Sequence, residues 1–87
     1  MDLEAIKEKV DTNIYHIPAD KEVPLHKHTK EDEIFYCIKG AGVGILEEEE
    51  IELEVGDTFV VPAGKMHSVK TNNEIYLTSF LVPVIEQ

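Results

Sequence analysis

The feature that most constrains the fold of this chain is its punctuation: apolar runs are cut again and again, at strand length, by glycine, proline or acidic turns. Residues 12–17 carry Ile14, Tyr15 and Ile17 and stop at Pro18; residues 23–28 lead into a polar turn at 29–32; residues 33–39 run to Gly40. Ile51, Leu53 and Val55 then alternate with Glu52 and Glu54, the cleanest half-buried strand pattern present, and Phe59, Val60 and Val61 read as a buried strand between Gly56 and Pro62. Residues 75–85 form a long apolar strand broken by Pro83. Helical spacing occurs over residues 2–10, where Leu3, Ile6 and Val10 recur, Asp2 can cap the start and Lys7 and Lys9 suit the C-terminal end; an edge strand is the competing reading. Many short strands with regular turn signals predict an all-β fold, a small antiparallel β-barrel or sandwich, with a short N-terminal helix.

With 87 residues the chain has room for one domain, 1–87, that buries only about 60–65% of its unfolded surface. A thin core of this kind gains from closure, a metal ion or a second copy. Eighteen acidic residues against eight lysines give a formal charge of −10, which repels nucleic acid and anionic membranes. Arginine is absent, and with it the usual bidentate clamp for phosphate or carboxylate. The charged N-terminal segment contains neither a signal peptide nor a membrane span, so a cytoplasmic protein is expected. Cys37, the one cysteine, lies in an apolar run, where a free thiol packs as a small hydrophobe.

Within this frame, His26 and His28 stand two apart, so on a strand both imidazoles leave the same face. Glu33 opens the next apolar run, and a carboxylate there is costly to bury unless something positive receives it. His67 follows the Pro62/Gly64 turn and brings a third imidazole. Three imidazoles and one carboxylate are ligands for manganese, iron, nickel, copper or zinc, and a six-coordinate divalent ion would keep roughly two positions for water or substrate. His16 has no partner at ligand spacing and is read as a surface or packing residue. Gly40, Gly42 and Gly44 form a bend running into a strand rather than a phosphate loop, and residues 47–50 form an acidic hairpin tip.

These residues resemble the small single-domain cupins over about residues 20–71. His26, His28, Glu33 and Gly40 match the family's first motif, and Gly56, Pro62, Gly64 and His67 match its second, with fifteen residues between Gly40 and Gly56. Asp20 stands where the family often has glycine, and Thr71 where it often has asparagine. The resemblance implies a cupin jelly roll with one divalent metal on His26, His28, Glu33 and His67, and commonly a homodimer. Members include dioxygenases, isomerases and decarboxylases. A metal-dependent enzyme acting on a small organic molecule is expected, with dioxygen chemistry slightly favoured; the alternative is a non-catalytic module that binds metal or a small ligand.

The strand phase assigns the remaining positions. If Glu33 faces the metal, Phe35 and Cys37 share its face and, with Phe59, line a pocket; Tyr36 or Tyr76 would supply acid–base chemistry if turned inward. Ile34, Tyr36 and Ile38 then face outward and call for a cover such as a partner chain.

Overall fold

The computed structural model describes residues 3–84, apart from the side chains of Leu3, Ile6 and residues 22–26. The N-terminal helix forms as α1, Leu3–Lys9, with Glu4 in its first turn and Lys7 and Lys9 in its last. Lys7 Nζ lies 3.4 Å from Glu4 Oε1. Asp2, the expected cap, falls outside the described residues, as does Ile85 at the far end.

Eight strands follow: β1 (Asp11–Ile17), β2 (Glu22–His26), β3 (Glu31–Gly40), β4 (Gly42–Leu46), β5 (Glu50–Leu53), β6 (Thr58–Val61), β7 (His67–Lys70) and β8 (Ile75–Pro83). They make two four-stranded antiparallel sheets, ordered β1-β8-β3-β6 and β2-β7-β4-β5. Among the described residues no strand of one sheet pairs with the other, so the expected barrel is not closed. The crossing between β5 and β6 spans one of the unpaired seams. Gly56 N–H donates to the Cys37 carbonyl and Cys37 N–H to the Asp57 carbonyl, which hands the chain to β3 instead of folding it back on β5. From there Tyr36 pairs with Thr58 and Phe35 with Phe59.

Both sheets feed one core: Ile17, Phe35, Cys37, Phe59, Val61, Ile75 and Leu77 from the first, Leu53 and Val69 from the second. Removing these apolar groups from water is the main favourable term, and period-two alternation selects which of them turn inward. On β3 the alternation is clean, with Glu33, Phe35 and Cys37 buried and Tyr36 and Ile38 exposed. Phe59 faces inward and sits on Gly44 of the opposite sheet, where a Cβ would lie 2.7 Å from its ring. A side chain at Gly44 would force the sheets apart or eject the phenylalanine.

Three expectations are corrected. Val60 is exposed on the outer face of β6, because a four-residue strand at a sheet edge has only one face to bury. Val55 is 64% exposed, because β5 ends at Leu53 and the chain turns before the alternation reaches it. Strand β2 ends at His26, so His28 stands beyond it. The β2–β7 register shifts between Val23 and His26, the interval that contains Pro24, which has no N–H for the ladder.

Among the described residues no helix is long and apolar enough to cross a membrane.

Candidate metal centre

Residues far apart in sequence meet at one end of the space between the sheets. Glu33 comes from β3, where it lies opposite Val61 on one side and Leu81 on the other. His67 begins β7 of the second sheet, with the His26 backbone beside it on β2 and Leu46 on β4. His28 reaches the same point from the turn after β2. The side chain of His26 lies outside the described residues, so only its backbone position is known.

Two hydrogen bonds tie the turns together. Gly64 N–H donates to the His28 carbonyl at 2.6 Å, and Ala63 N–H donates to Asp32 Oδ1 at 2.8 Å. Gly64 takes φ +85°, a left-handed conformation that most side chains disfavour. The Pro62/Gly64 turn thus ties down the His28 backbone and leads through Lys65 and Met66 into His67.

His67 Nε2 lies 2.9 Å from Glu33 Oε1, and His28 Nε2 lies 3.3 Å from the same oxygen. Nδ1 of His67 stands 3.4 Å from the Lys65 carbonyl. The other carboxylate oxygen, Oε2, accepts a hydrogen bond from the hydroxyl of Ser79 on β8. Glu33, His67 and Ser79 are all buried, and among the described residues no buried side-chain nitrogen or oxygen lacks a partner.

The carboxyl group of Glu33 responds to opposing forces. Burial pushes its pKa upward, but hydrogen bonds from His67 and Ser79 and the charges of His67 and His28 outweigh that effect and hold it below the ordinary value. The group is therefore an anion among imidazoles, the form in which a carboxylate binds a cation.

The donor set fits a divalent transition metal. His28, Glu33 and His67 each offer one ligand atom, all within 4.8 Å of one another. Two atoms each about 2.1 Å from one ion stand no more than about 4.2 Å apart, and the two measured separations from Glu33 Oε1 fall inside that limit. A Nδ1–H donated to a carbonyl leaves Nε2 of His67 as the ligand atom.

The other positions named from the sequence are distributed as follows. The Phe35 ring lies 5.8 Å from that of His67, and Phe59 stacks on Phe35 at 5.8 Å, so the two phenylalanines form an apolar layer beneath the imidazole. Cys37 is fully buried in the core, where its thiol points to the carbonyls of Lys39 and Gly40. His16 is on the outer face, 3.0 Å from Glu74 and stacked on Tyr76 at 4.2 Å. Tyr36 is exposed, and Tyr76 is held outside under Lys39, so neither tyrosine turns inward. The tyrosine on the inner face is Tyr15, paired with buried Leu77, its ring 6.5 Å from Phe35. Burial and the charge of Glu33 both raise its pKa. Its phase with Ile17 was the available signal.

Comparison with known proteins agrees with this geometry. The family model described as a cupin domain matches residues 13–81. An uncharacterized protein of Methanocaldococcus jannaschii is 29% identical over 82 residues, covering 83% of this chain and 66% of that protein. An oxalate-binding protein of Thermotoga maritima is 32% identical over 69 residues, covering 79% of this chain and 56% of the relative. The chain thus spans somewhat under two thirds of the length of both relatives. A solved structure described as a predicted oxalate decarboxylase, also from Thermotoga maritima, superposes with a TM-score of 0.82 at 25% identity, covering 97% of this chain and 76% of that one. With both motifs present, two antiparallel sheets around a His/Glu cluster and the family match over most of its length, the chain belongs to the cupin family.

Proposed function

We propose that this cupin holds one divalent transition metal ion on His26, His28, Glu33 and His67 and uses it to bind and transform a small organic molecule that reaches the ion through its own oxygen atoms. The observation that carries this reading is the convergence of the half-buried His28 Nε2 with the buried His67 Nε2 and Glu33 Oε1. The backbone of His26 lies on β2 beside His67, a register position that suits a fourth ligand. When bound, the ion would supply Lewis acidity toward a chelated oxygen. The protein's own part is to orient: Glu33 is held from its far oxygen, Phe35 and Phe59 keep water from one side, and Tyr15 presents a phenol at the rim of the inner face.

Similarity to a protein named for oxalate binding makes a short dicarboxylate the first ligand to test. Without arginine, the negative charge of such a ligand would be met by the ion and its imidazoles, which favours a molecule small enough to place both carboxylates at the metal. Dioxygen-dependent chemistry beside a chelating substrate stands as the competing activity for the same ligand set. A non-catalytic binding module is the second reading, favoured by the outward placement of Tyr36 and Tyr76, which removes two acid–base candidates from the site.

The same reading includes a homodimer. Ile14, Tyr36, Ile38 and Val60 are all exposed on the outer face of the β1-β8-β3-β6 sheet, and an apolar face of this extent suits a second copy.

Elemental analysis after purification without affinity metals tests the site. We expect about one ion per chain in the wild type and little in His67→Ala, since a single lost ligand typically costs far more than the 10–100-fold of an outer partner. Calorimetric titration with oxalate and an assay for its consumption then separate the readings: consumption marks an enzyme, saturable binding without consumption a module. A wild type that remains metal-free after reconstitution overturns the reading.

A further inference from the structure

Ser79 is a polar residue on an otherwise apolar face. Along β8 the inward phase runs Ile75, Leu77, Ser79, Leu81, and Ser79 is fully buried between Asn13 of β1 and Phe35 of β3. A hydroxyl in that position costs free energy unless it is hydrogen-bonded. Its bond goes to Oε2 of Glu33. The register explains the reach: Glu33 lies directly opposite Leu81, so Ser79 is its diagonal neighbour two residues along β8, within reach of a long side chain.

The two oxygens of Glu33 therefore have different surroundings. Oε1 lies beside His67 Nε2 and His28 Nε2, and Oε2 accepts a hydrogen bond from the Ser79 hydroxyl on β8. We propose that Ser79 is the positioning residue of the metal centre: its hydroxyl holds Oε2 so that Glu33 offers the ion a single oxygen, Oε1, in a fixed orientation. The position a second carboxylate oxygen would otherwise take is thereby left open to an incoming ligand. This inference rests on the metal-binding reading of the same site.

The test compares wild type with Ser79→Ala, which deletes the donor, and Ser79→Thr, which restores a hydroxyl. Thr71→Ala serves as control, because Thr71 is a second buried hydroxyl that donates to the Ala41 carbonyl, away from the cluster. Cobalt(II) is the probe, since its visible absorption responds to the number and arrangement of its ligands. Affinity is read by competition with a chromophoric chelator, and folding by urea denaturation of each metal-free chain. Ser79→Ala is expected to weaken cobalt binding by about 10-fold, at the lower end for outer-shell partners, and to change the absorption bands. Ser79→Thr is expected to restore both, and Thr71→Ala to leave both unchanged even if its urea midpoint falls. Equal affinity and identical bands in wild type and Ser79→Ala would overturn the positioning role alone. The same losses in Thr71→Ala would reduce Ser79 to a general contribution to packing and overturn it too. Failure of the wild type to bind cobalt would remove the metal reading itself, and this inference with it.

Discussion

At the scale of single residues, burial decides what each titratable group can do. Glu33 has its pKa held below the ordinary 4.5 in the folded chain, whereas unfolding returns it to the ordinary range. As pH falls the unfolded chain takes up this proton first, so the stability Glu33 contributes is complete above its unfolded pKa and is lost as pH falls through the folded one. Urea denaturation of the metal-free protein at pH 7 and near pH 3 should show that loss in the wild type, and a smaller one in Glu33→Gln. An equal drop in both would assign the acid sensitivity to other carboxylates. Cys37 shows the opposite sign. Burial raises its pKa, with a backbone hydrogen bond at Lys39 opposing and the charge of Asp57 adding to the rise, so the thiol stays protonated. It should resist a thiol reagent at pH 8 in native buffer and react fully in denaturant; rapid native labelling would mean that the β3 core opens. The inward phase of Glu33 and Cys37 was legible in the alternation along residues 33–39. Ser79 was legible only as a gap in an apolar run, because nothing local says which carboxylate a hydroxyl will meet.

At the scale of elements, the turns carry what is particular to this chain. Pro18 to Lys21 closes a turn by a 3.2 Å bond from Lys21 N–H to the Pro18 carbonyl, and its third residue, Asp20, takes φ +62°. Asp20 N–H donates to the Thr71 carbonyl, so the two positions that depart from the usual cupin pattern are bonded to each other. A left-handed non-glycine residue costs about 1–2 kcal/mol, of which glycine would return about 0.4–1 kcal/mol through the unfolded state's greater freedom. Asp20→Gly should therefore stabilise the fold by about 0.5–1 kcal/mol in urea denaturation, with metal content unchanged. A destabilised variant would mean that the aspartate side chain itself holds the turn. The edge strand β1 is exposed along almost its whole length. It is held by its seven-residue ladder with β8 and by the His16 contacts to Glu74 and Tyr76. His16 was legible as a non-ligand from its isolation in the sequence; the stack and hydrogen bond that occupy it were not, since Glu74 lies 58 residues away.

At the scale of the whole molecule, the outer face of one sheet is the surface on which the proposed second copy would sit. Across its four strands run the rows Ile14, Thr78, Tyr36, Thr58 and Thr12, Phe80, Ile34, Val60, which are apolar or uncharged throughout. With a net charge of −10, a second copy would be repelled at long range, so the proposed dimer would depend on this uncharged surface. Light scattering at micromolar concentration should give twice the chain mass for the wild type. Val60→Lys, which places a charge at the 52% exposed β6 end of one row, should give the chain mass with metal content intact. A monomeric wild type would leave the face as an ordinary exposed sheet.

The sequence by itself determined the all-β class, the N-terminal helix, the strand phases that turn Glu33, Phe35 and Cys37 inward, and the cupin motifs. These depend on local periodicity, turn chemistry and spacing, all of which are written along the chain. Tertiary structure decided that the sheets remain open, that His28 stands past its strand, that Tyr15 rather than Tyr36 or Tyr76 borders the interior, and that Ser79 holds Glu33. Each of these depends on which strand lies beside which and in what register, and that choice is made by packing over the whole core, between residues up to dozens of positions apart.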